Sequence, residues 1–368
     1  MTLSLYLARR FLRALGLVLG AFWGLLFLID LVEKIRAFDA ARVGLGQAAE
    51  LAALNVPASL YTILPLIVVL AAVVMFIGLA RSSELVVIRA SGRSALRMLA
   101  APVTVALLVG LLAIGLGNPI VSATSNRYEE LVSRYKQGGL ATVSIGREGV
   151  WMRQGSDEIA GGQAVIRAAR ANLDATELYD VTFLIFAPDE GPVRRIDAGA
   201  ARLTPGAWQL TDVKDWPLGA STNPERDATR AESLRLESDL TAERIRDSFG
   251  TPSAVPIWDL PSFISALQKA GFSARRHQVW LNMELAQPLV LAAMVLIAAG
   301  FTMRPARFGH TGVMVLLAFI AGLGVFFLRN IAQVLGDNGQ IPVLLAGWAP
   351  PAIALMLAMT LLLHLEDG

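Results

Sequence analysis

The chain has 368 residues, of which 55% are hydrophobic and 17% are charged, and its mean hydropathy is +0.55. Soluble domains carry about 25% charged residues, so this composition indicates a membrane protein. The absence of cysteine excludes disulfides, thiolate catalysis and zinc–cysteine sites. The net charge of +2, without a run of Lys or Arg, gives no indication of nucleic-acid binding.

Six apolar stretches of about 20 residues are each long enough to cross the hydrocarbon core of a bilayer. They cover residues 11–31, 60–80, 98–121, 283–303, 311–335 and 341–364. Three of them precede a more charged middle segment and three follow it. The sequence therefore predicts a membrane α-helical protein with six transmembrane helices and domains at 1–121, 122–276 and 277–368.

The middle domain has the pattern of a water-exposed domain rich in β-strands. Runs such as 149–153 and 180–186 combine β-branched and aromatic residues and are bounded by turn signals. Several short strands at regular spacing predict a small sandwich or jelly-roll-like domain. A helix is predicted over 259–270, where the chain returns to the membrane.

Basic residues in the short loops predict the orientation in the membrane. One side would hold Arg9, Arg10, Arg13, Arg81, Arg89, Arg93, Arg97, Arg304 and Arg307. The short loops of the other side would hold Lys34, Arg36 and Arg42. This asymmetry predicts that both termini are cytoplasmic and that the middle domain lies outside, which in a bacterium is the periplasm.

The loop after the second span carries the sharpest local signal. Ser82 can cap a helix, Glu84 favours a first turn, and Gly92 can end the helix. The pattern predicts a short cytoplasmic helix over 82–91. The apolar side chains that it would offer to a partner are Leu85, Val86 and Ile88. An amphipathic connector lying on the membrane surface is the alternative interpretation.

Two charged residues lie within or close to the apolar spans, where a charge is costly unless it is paired or faces a wet cavity. Asp30 is near the end of the first span, and Arg329 is towards the outer half of the fifth. We predict that they face the same interior space and form an ion pair at a gate between the first and fifth helices.

Four basic residues near the outer membrane boundary are candidate ligands for a phosphorylated substrate: Lys34, Arg36, Arg127 and Arg134. Snorkelling of the first two to the membrane interface is the simpler interpretation of their position. Glu130 lies between the other two in sequence, so a solvated helix face is the simpler interpretation there.

No P-loop, H-E-x-x-H or G-x-S-x-G motif occurs in the sequence. The sequence therefore predicts no catalytic residues, no metal site and no cofactor. Any ATP hydrolysis would come from a separate chain.

Taken together, these features resemble the lipopolysaccharide export permeases of the LptF/LptG family over nearly the whole chain. The most specific match is residues 81–92, and 281–288, 339–342 and 149–151 also match family patterns. The Ser-Glu-Leu-Val-Val form of the first segment is more similar to the LptG branch than to the LptF branch.

The resemblance implies a permease subunit of an ABC-type exporter that extracts lipopolysaccharide from the inner membrane and passes it to a periplasmic bridge. It implies three protein partners: a paralogous LptF-like permease, a cytoplasmic LptB-like ATPase dimer, and a single-span LptC-like protein beside the first helix. The positions that it assigns to ATPase coupling are Arg81, Ser83, Glu84, Leu85, Ile88 and Gly92.

The resemblance is uneven at the charged positions. Lys34 and Arg36 fit a basic cluster that meets lipid phosphates, whereas Arg127 and Arg134 correspond loosely. Asp30 and Arg329 stand where some relatives carry the opposite charges, which favours a pair of reversed sign.

Two alternatives remain from other classes of function. In the first, the chain is a permease subunit for another amphiphile, such as a lipoprotein or glycolipid. In the second, it is a membrane-anchored periplasmic scaffold without transport. The first predicts the same ATPase coupling without lipopolysaccharide binding. The second predicts that a basic residue in place of Glu84 leaves function intact.

Overall fold

The computed structural model describes residues 2–37, 44–90, 94–136, 143–146, 149–156, 162–172, 176–187, 191–219, 223–238, 240–241, 251–269, 272–303 and 311–366. The chain divides into two compact units. The first unit contains Met1–Tyr135 and Arg275–Gly368 and is helical, and the second contains Lys136–Ala274 and holds a β-sheet.

Most helices belong to the first unit. In chain order the α-helices are α1 (Thr2–Ala37), α2 (Leu45–Thr62), α3 (Leu64–Arg81), α4 (Glu84–Ala90), α5 (Ala95–Leu112), α6 (Asn118–Lys136), α7 (Leu260–Lys269), α8 (Arg275–Leu285), α9 (Gln287–Thr302), α10 (Thr311–Asp337) and α11 (Val343–Glu366). A π-helical turn, Ala113–Gly117, joins α5 to α6. Helix α7 lies in the second unit.

The described residues contain five helices that are long and apolar enough to cross a membrane, or six if one bent pair counts as a single span. The five are α1, α3, the continuous α5–α6, α10 and α11. The bent pair is α8 and α9, whose axes differ by 48°. The break falls at Ala286, just before Pro288, which lacks a backbone N–H and is tolerated in the first turn of α9. A count of six unbroken spans is therefore not confirmed.

Helix α2 was not predicted from the sequence, since only its last residues fall within a predicted span. Its buried residues include Ala48, Leu51, Ala52 and Val56, which recur at helical spacing. This face packs against α1. Helix α2 is therefore an amphipathic helix that precedes the second span.

Helices α3 and α9 form the core of the helical unit, and nearly every residue of α9 is buried. Two glycines allow neighbouring helices to approach the α8–α9 break. A Cβ atom on Gly110 of α5 would lie 2.5 Å from Cα of Pro288. A Cβ atom on Gly347 of α11 would lie 2.6 Å from Cβ of Asn282. Such contacts leave no room for a side chain and bring the backbones together.

The second unit contains a seven-stranded antiparallel sheet in which every strand pairs with its neighbour in sequence. The strands are β1 (Val143–Gly146), β2 (Gly149–Ser156), β3 (Gly162–Ala171), β4 (Glu177–Ala187), β5 (Gly191–Thr204), β6 (Ala207–Pro217) and β7 (Thr229–Glu237). This consecutive order is that of a meander, so the predicted jelly-roll order is not confirmed by the described strands.

The sheet curls around an apolar interior. Residues Ile166, Phe183 and Ile196 lie opposite one another on successive strands and are fully buried. Gln154 on β2 accepts hydrogen bonds from the indole N–H of Trp208 on β6, at 3.4 Å, and from the hydroxyl of Ser238, at 2.8 Å. Because neither β6 nor the end of β7, which Ser238 follows, is next to β2 in the sheet, these bonds cross its buried face.

Replacing Trp208 by alanine should lower the stability of the sheet by about 3–5 kcal/mol, because its indole is fully buried and leaves a cavity. Thermal melting of the detergent-solubilised full chain, followed by circular dichroism in the β-sheet region, measures the effect. Trp258→Ala is the control, since that indole is 71% exposed. Equal melting of the two variants would contradict the assignment of Trp208 to the core.

Candidate functional site

The carboxylate of Glu84, at the start of α4, is bound by its own chain. The hydroxyl of Tyr6 donates to Oε2 at 2.6 Å, Nη1 of Arg10 to Oε1 at 2.8 Å, and the hydroxyl of Ser82 to Oε1 at 2.7 Å. The hydrogen bonds from Tyr6, Ser82 and Arg10 lower the pKa of Glu84 to about 2. Helix α4 is thus attached to the first turns of α1 by a charged contact.

The apolar side chains of α4 fall into a buried and an exposed set. Leu85 and Ile88 are 3% and 8% exposed and pack in the same core as the start of α1. Val86 and Val87 are 54% and 68% exposed. The prediction that Leu85 and Ile88 are available to a partner is therefore wrong, because α4 needs these side chains to dock on its own bundle.

The turn before α4 is sharp. Arg81 is the exposed last residue of α3, and Ser83 has a φ of +58°, a left-handed conformation that redirects the chain into α4. Gly92, the predicted end of this helix, lies outside the described residues.

Asp30 and Arg329 do not form the predicted ion pair in the described part of the chain. Asp30 is buried and accepts a hydrogen bond at 3.1 Å from the amide of Asn55 on α2. Arg329 instead lies near Glu284 of α8, with 3.9 Å between Nη2 and Oε1. The carboxylate of Glu284 is fully buried and needs a counter-charge, whereas the carboxylate of Asp30 accepts a hydrogen bond from Asn55.

Glu284 is the centre of a polar cluster that four helices build. It is 0% exposed. Its Oε2 accepts hydrogen bonds from the hydroxyl of Tyr61 on α2 and, at 3.4 Å, from the amide of Asn118 on α6. Its Oε1 faces Arg329 of α10 and accepts no hydrogen bond from the residues that the structure describes.

The depth of this cluster follows from helix geometry. Glu284 precedes Thr302, the end of α9, by 18 residues, and Arg329 follows Thr311, the start of α10, by the same number. At 1.5 Å per residue both lie about 27 Å along their helices from these ends. This distance is close to the thickness of a hydrocarbon core, about 30 Å.

Glu284 was not predicted as a functional residue, although the sequence contains a signal for it. Its position lies within the predicted fourth span and within the family-like segment 281–288. A carboxylate in an apolar span, four residues before a proline, predicts both a charge to be satisfied and a helix break that exposes backbone groups.

Two groups of candidate substrate ligands lie on α1 and α6. Lys34 is buried, with Nζ 3.3 Å from Oε1 of Glu33 and 5.3 Å from the ring centroid of Tyr128 on α6. Arg36, two residues further along α1, is exposed. The contact with Tyr128 joins the end of α1 to α6 through a cation–π interaction.

Arg127 and Arg134 share one carboxylate on the exposed face of α6. Nη1 of Arg127 is 2.6 Å from Oε2 of Glu130, and Arg134 also pairs with Glu130, one turn away. All three side chains are close to half exposed or more, so these ion pairs are weak and can exchange for other partners.

The chain thus contains apolar spans, a short helix α4 that docks on them, and a β-sheet unit. The family model described as "Lipopolysaccharide export system permease LptF/LptG" matches residues 5–364. The chain belongs to this family. It is a permease subunit of the lipopolysaccharide export system, and thus a transport subunit and not an enzyme.

Two relatives are similar to the permease over nearly their whole length. The lipopolysaccharide export system permease protein LptG of Haemophilus influenzae is 23% identical over 371 residues, which cover 100% of this chain and 99% of that protein. The protein of the same name from Escherichia coli (strain K12) is 24% identical over 348 residues, which cover 93% of this chain and 91% of that protein. Both carry the name LptG, in agreement with the branch that the sequence predicts.

Replacing Glu84 by glutamine should lower the melting temperature of the permease, and the difference from the unaltered protein should depend on pH. A carboxyl whose pKa falls on folding from 4.5 to about 2 stabilises the fold fully above the first value. The difference should therefore be constant from pH 8 to about 5 and shrink as the pH falls further. Glu50→Gln, at an exposed position of α2, is the matched control. A difference that grows under acidic conditions would contradict the contact with Arg10.

Proposed function

We propose that the permease extracts lipopolysaccharide from the outer leaflet of the bacterial inner membrane and passes it to a periplasmic bridge, driven by a separate ATPase. The single observation that carries this proposal is α4, a short helix fixed at one end of an apolar bundle with Val86 and Val87 exposed. A surface helix with free apolar side chains can receive motion from a motor protein by inserting into its groove.

In this proposal α4 and both termini are cytoplasmic, and the sheet unit is periplasmic. The excess of arginines in the loops at the α4 end supports this orientation. The contact of Glu84 with Tyr6 and Arg10 supports it as well, because it brings α4 beside the start of α1. Predictions from the loop charges and from the helix contacts thus agree on which residues share a side.

The motor partner in this proposal is an LptB-like ATPase dimer that docks against Val86 and Val87. When ATP binding moves the dimer, Leu85 and Ile88 transmit the movement to the apolar core, and Glu84 transmits it to α1 through Arg10. Helix α1 is continuous from Thr2 to Ala37, so a displacement at its start reaches Lys34 at its other end.

The substrate path in this proposal runs along the outer half of α1, α3 and α10, which offer apolar walls to acyl chains. Lys34, Arg36, Arg127 and Arg134 would bind the phosphates by charge-assisted hydrogen bonds. Arg36 is exposed, whereas Arg127 and Arg134 must first leave Glu130. A paralogous LptF-like permease would complete the cavity, and a single-span LptC-like protein would lie beside α1.

Replacing Val86 and Val87 together by glutamate should abolish binding of the ATPase, because two charges would be buried without partners in the apolar contact. Measurements are co-purification of the ATPase from detergent and ATP-dependent transfer of lipopolysaccharide from proteoliposomes to a soluble acceptor. Both should fall to background, while the melting temperature of the permease should stay unchanged because both side chains are exposed.

Leu45→Glu is the matched control, since Leu45 is 73% exposed at the start of α2, at the other end of α1 from α4. It should leave ATPase binding intact. Full ATPase binding by the doubly charged α4 variant would show that α4 is not the docking helix. Intact ATPase binding together with no transfer of lipopolysaccharide by the unaltered protein would point to another amphiphile.

A further inference from the structure

Helix α10 has a buried face and an exposed face along the same turns. The buried face contains Ala318, Val325, Arg329 and Ala332. The exposed face contains Ile320, Phe327, Ile331 and Val334. Successive positions of both sets are separated by seven, four and three residues, which is the spacing of a single helix face. The rotation of α10 about its own axis is therefore well defined.

Arg329 is the charged residue on this buried face, and it makes the rotation costly to change. It is 9% exposed, whereas Phe327 and Ile331, two residues away on either side, are 55% and 56% exposed. A rotation of α10 by one residue, about 100°, would carry the guanidinium from the protein interior towards lipid. A charge is costly in lipid. If the counter-charge of Arg329 is held in place, Arg329 therefore favours the observed rotation of α10.

The counter-charge on Glu284 is fixed by helices other than α10. The hydroxyl of Tyr61 and the amide of Asn118 both donate to Oε2, so α2 and α6 hold the carboxylate from one side. The close contact of Gly110 with Pro288 holds the start of α9, next to Glu284, against α5. Oε1 is left for Arg329, at 3.9 Å. Glu284 thus presents one oxygen to α10 from a rigid support.

We propose that Glu284 is a positioning residue that sets the rotation of α10, and that lipid extraction depends on this setting. The correct rotation turns the apolar side chains of Ile320, Phe327 and Ile331 towards the acyl chains and keeps Arg329 inside. The second half of this inference rests on the proposed function, in which α10 is one wall of the substrate path. The first half concerns the structure alone and can be tested separately.

The rotation can be measured with single cysteines, because the chain has none of its own. Ile331→Cys places a thiol on the exposed face, and Ala332→Cys places one on the buried face. A hydrophobic maleimide should label the first much faster than the second in the full permease complex. In the E284Q background this difference should largely disappear, whereas Asp30→Asn, which removes a carboxylate on α1, should preserve it.

The dependence of transport on this rotation is measured as lipopolysaccharide transferred per ATP hydrolysed, in proteoliposomes that contain the complete complex. Glutamine at 284 keeps the shape of the side chain and an acceptor for Tyr61 but loses the charge. Transfer per ATP should fall about tenfold, equivalent to about 1.4 kcal/mol. R329M should have a similar effect, and R329K, which keeps the charge, should retain most of the transfer.

The double variant E284Q/R329M distinguishes a loss of α10 positioning from a loss of protein stability. Removing both charges relieves the unpaired charge that each single variant leaves, so the melting temperature should recover. Transfer per ATP should remain low because the contact between Glu284 and Arg329 that positions α10 is then absent. The proposal would be overturned if transfer recovered in the double variant. It would also be overturned if labelling and transfer were unaltered in E284Q. If E284Q does not assemble, unaltered transfer in R329M would overturn it equally. Absence of transfer by the unaltered complex would instead count against the proposed function.

Discussion

A carboxylate inside an apolar helix bundle has to be satisfied by the protein itself, because hydrocarbon offers neither water nor counter-ions. In this permease that requirement falls on Glu284, which lies just before the break between α8 and α9. The hydroxyl, amide and guanidinium that surround it come from α2, α6 and α10. One charge is thus contacted by groups from three other helical segments.

At α4 a second carboxylate, Glu84, is also bound by groups of its own chain, but it is in contact with solvent. Glu84 is bound by Tyr6, Ser82 and Arg10, but its side chain is about one-third exposed. Solvent weakens such a contact, and a partner that supplies another cation can replace it. The two carboxylates therefore have different roles. Glu284 joins helices in the buried interior of the bundle, whereas Glu84 attaches α4 at a partly solvated end.

Sequence patterns predicted those features that depend on nearby residues. Hydropathy located the apolar spans, and the β-rich run 180–186 falls within β4. The amphipathic helix α2 was missed because its polar residues lower the hydropathy that marks a span. The break between α8 and α9 was missed for a related reason, since apolar composition alone does not distinguish a bent pair from one straight helix.

The candidate sites show the same limit. Glu84 was recognised from its local pattern, but its partners Tyr6 and Arg10 are separated from it by 78 and 74 residues. Asp30 and Arg329 were matched because both lie at similar depth, but depth gives no direction around a helix. Glu284 lies at that depth as well, and the packing of α8 and α9, which no local pattern specifies, turns it towards Arg329.

The contact between Gly110 and Pro288 has a mechanical consequence. At this point the backbone of α5 lies against the proline ring and backbone of α9, so no flexible side chain there can absorb a displacement. Helices α5 and α9 are therefore closely coupled at this level of the bundle, whereas interfaces filled by longer side chains can adjust by changing rotamers.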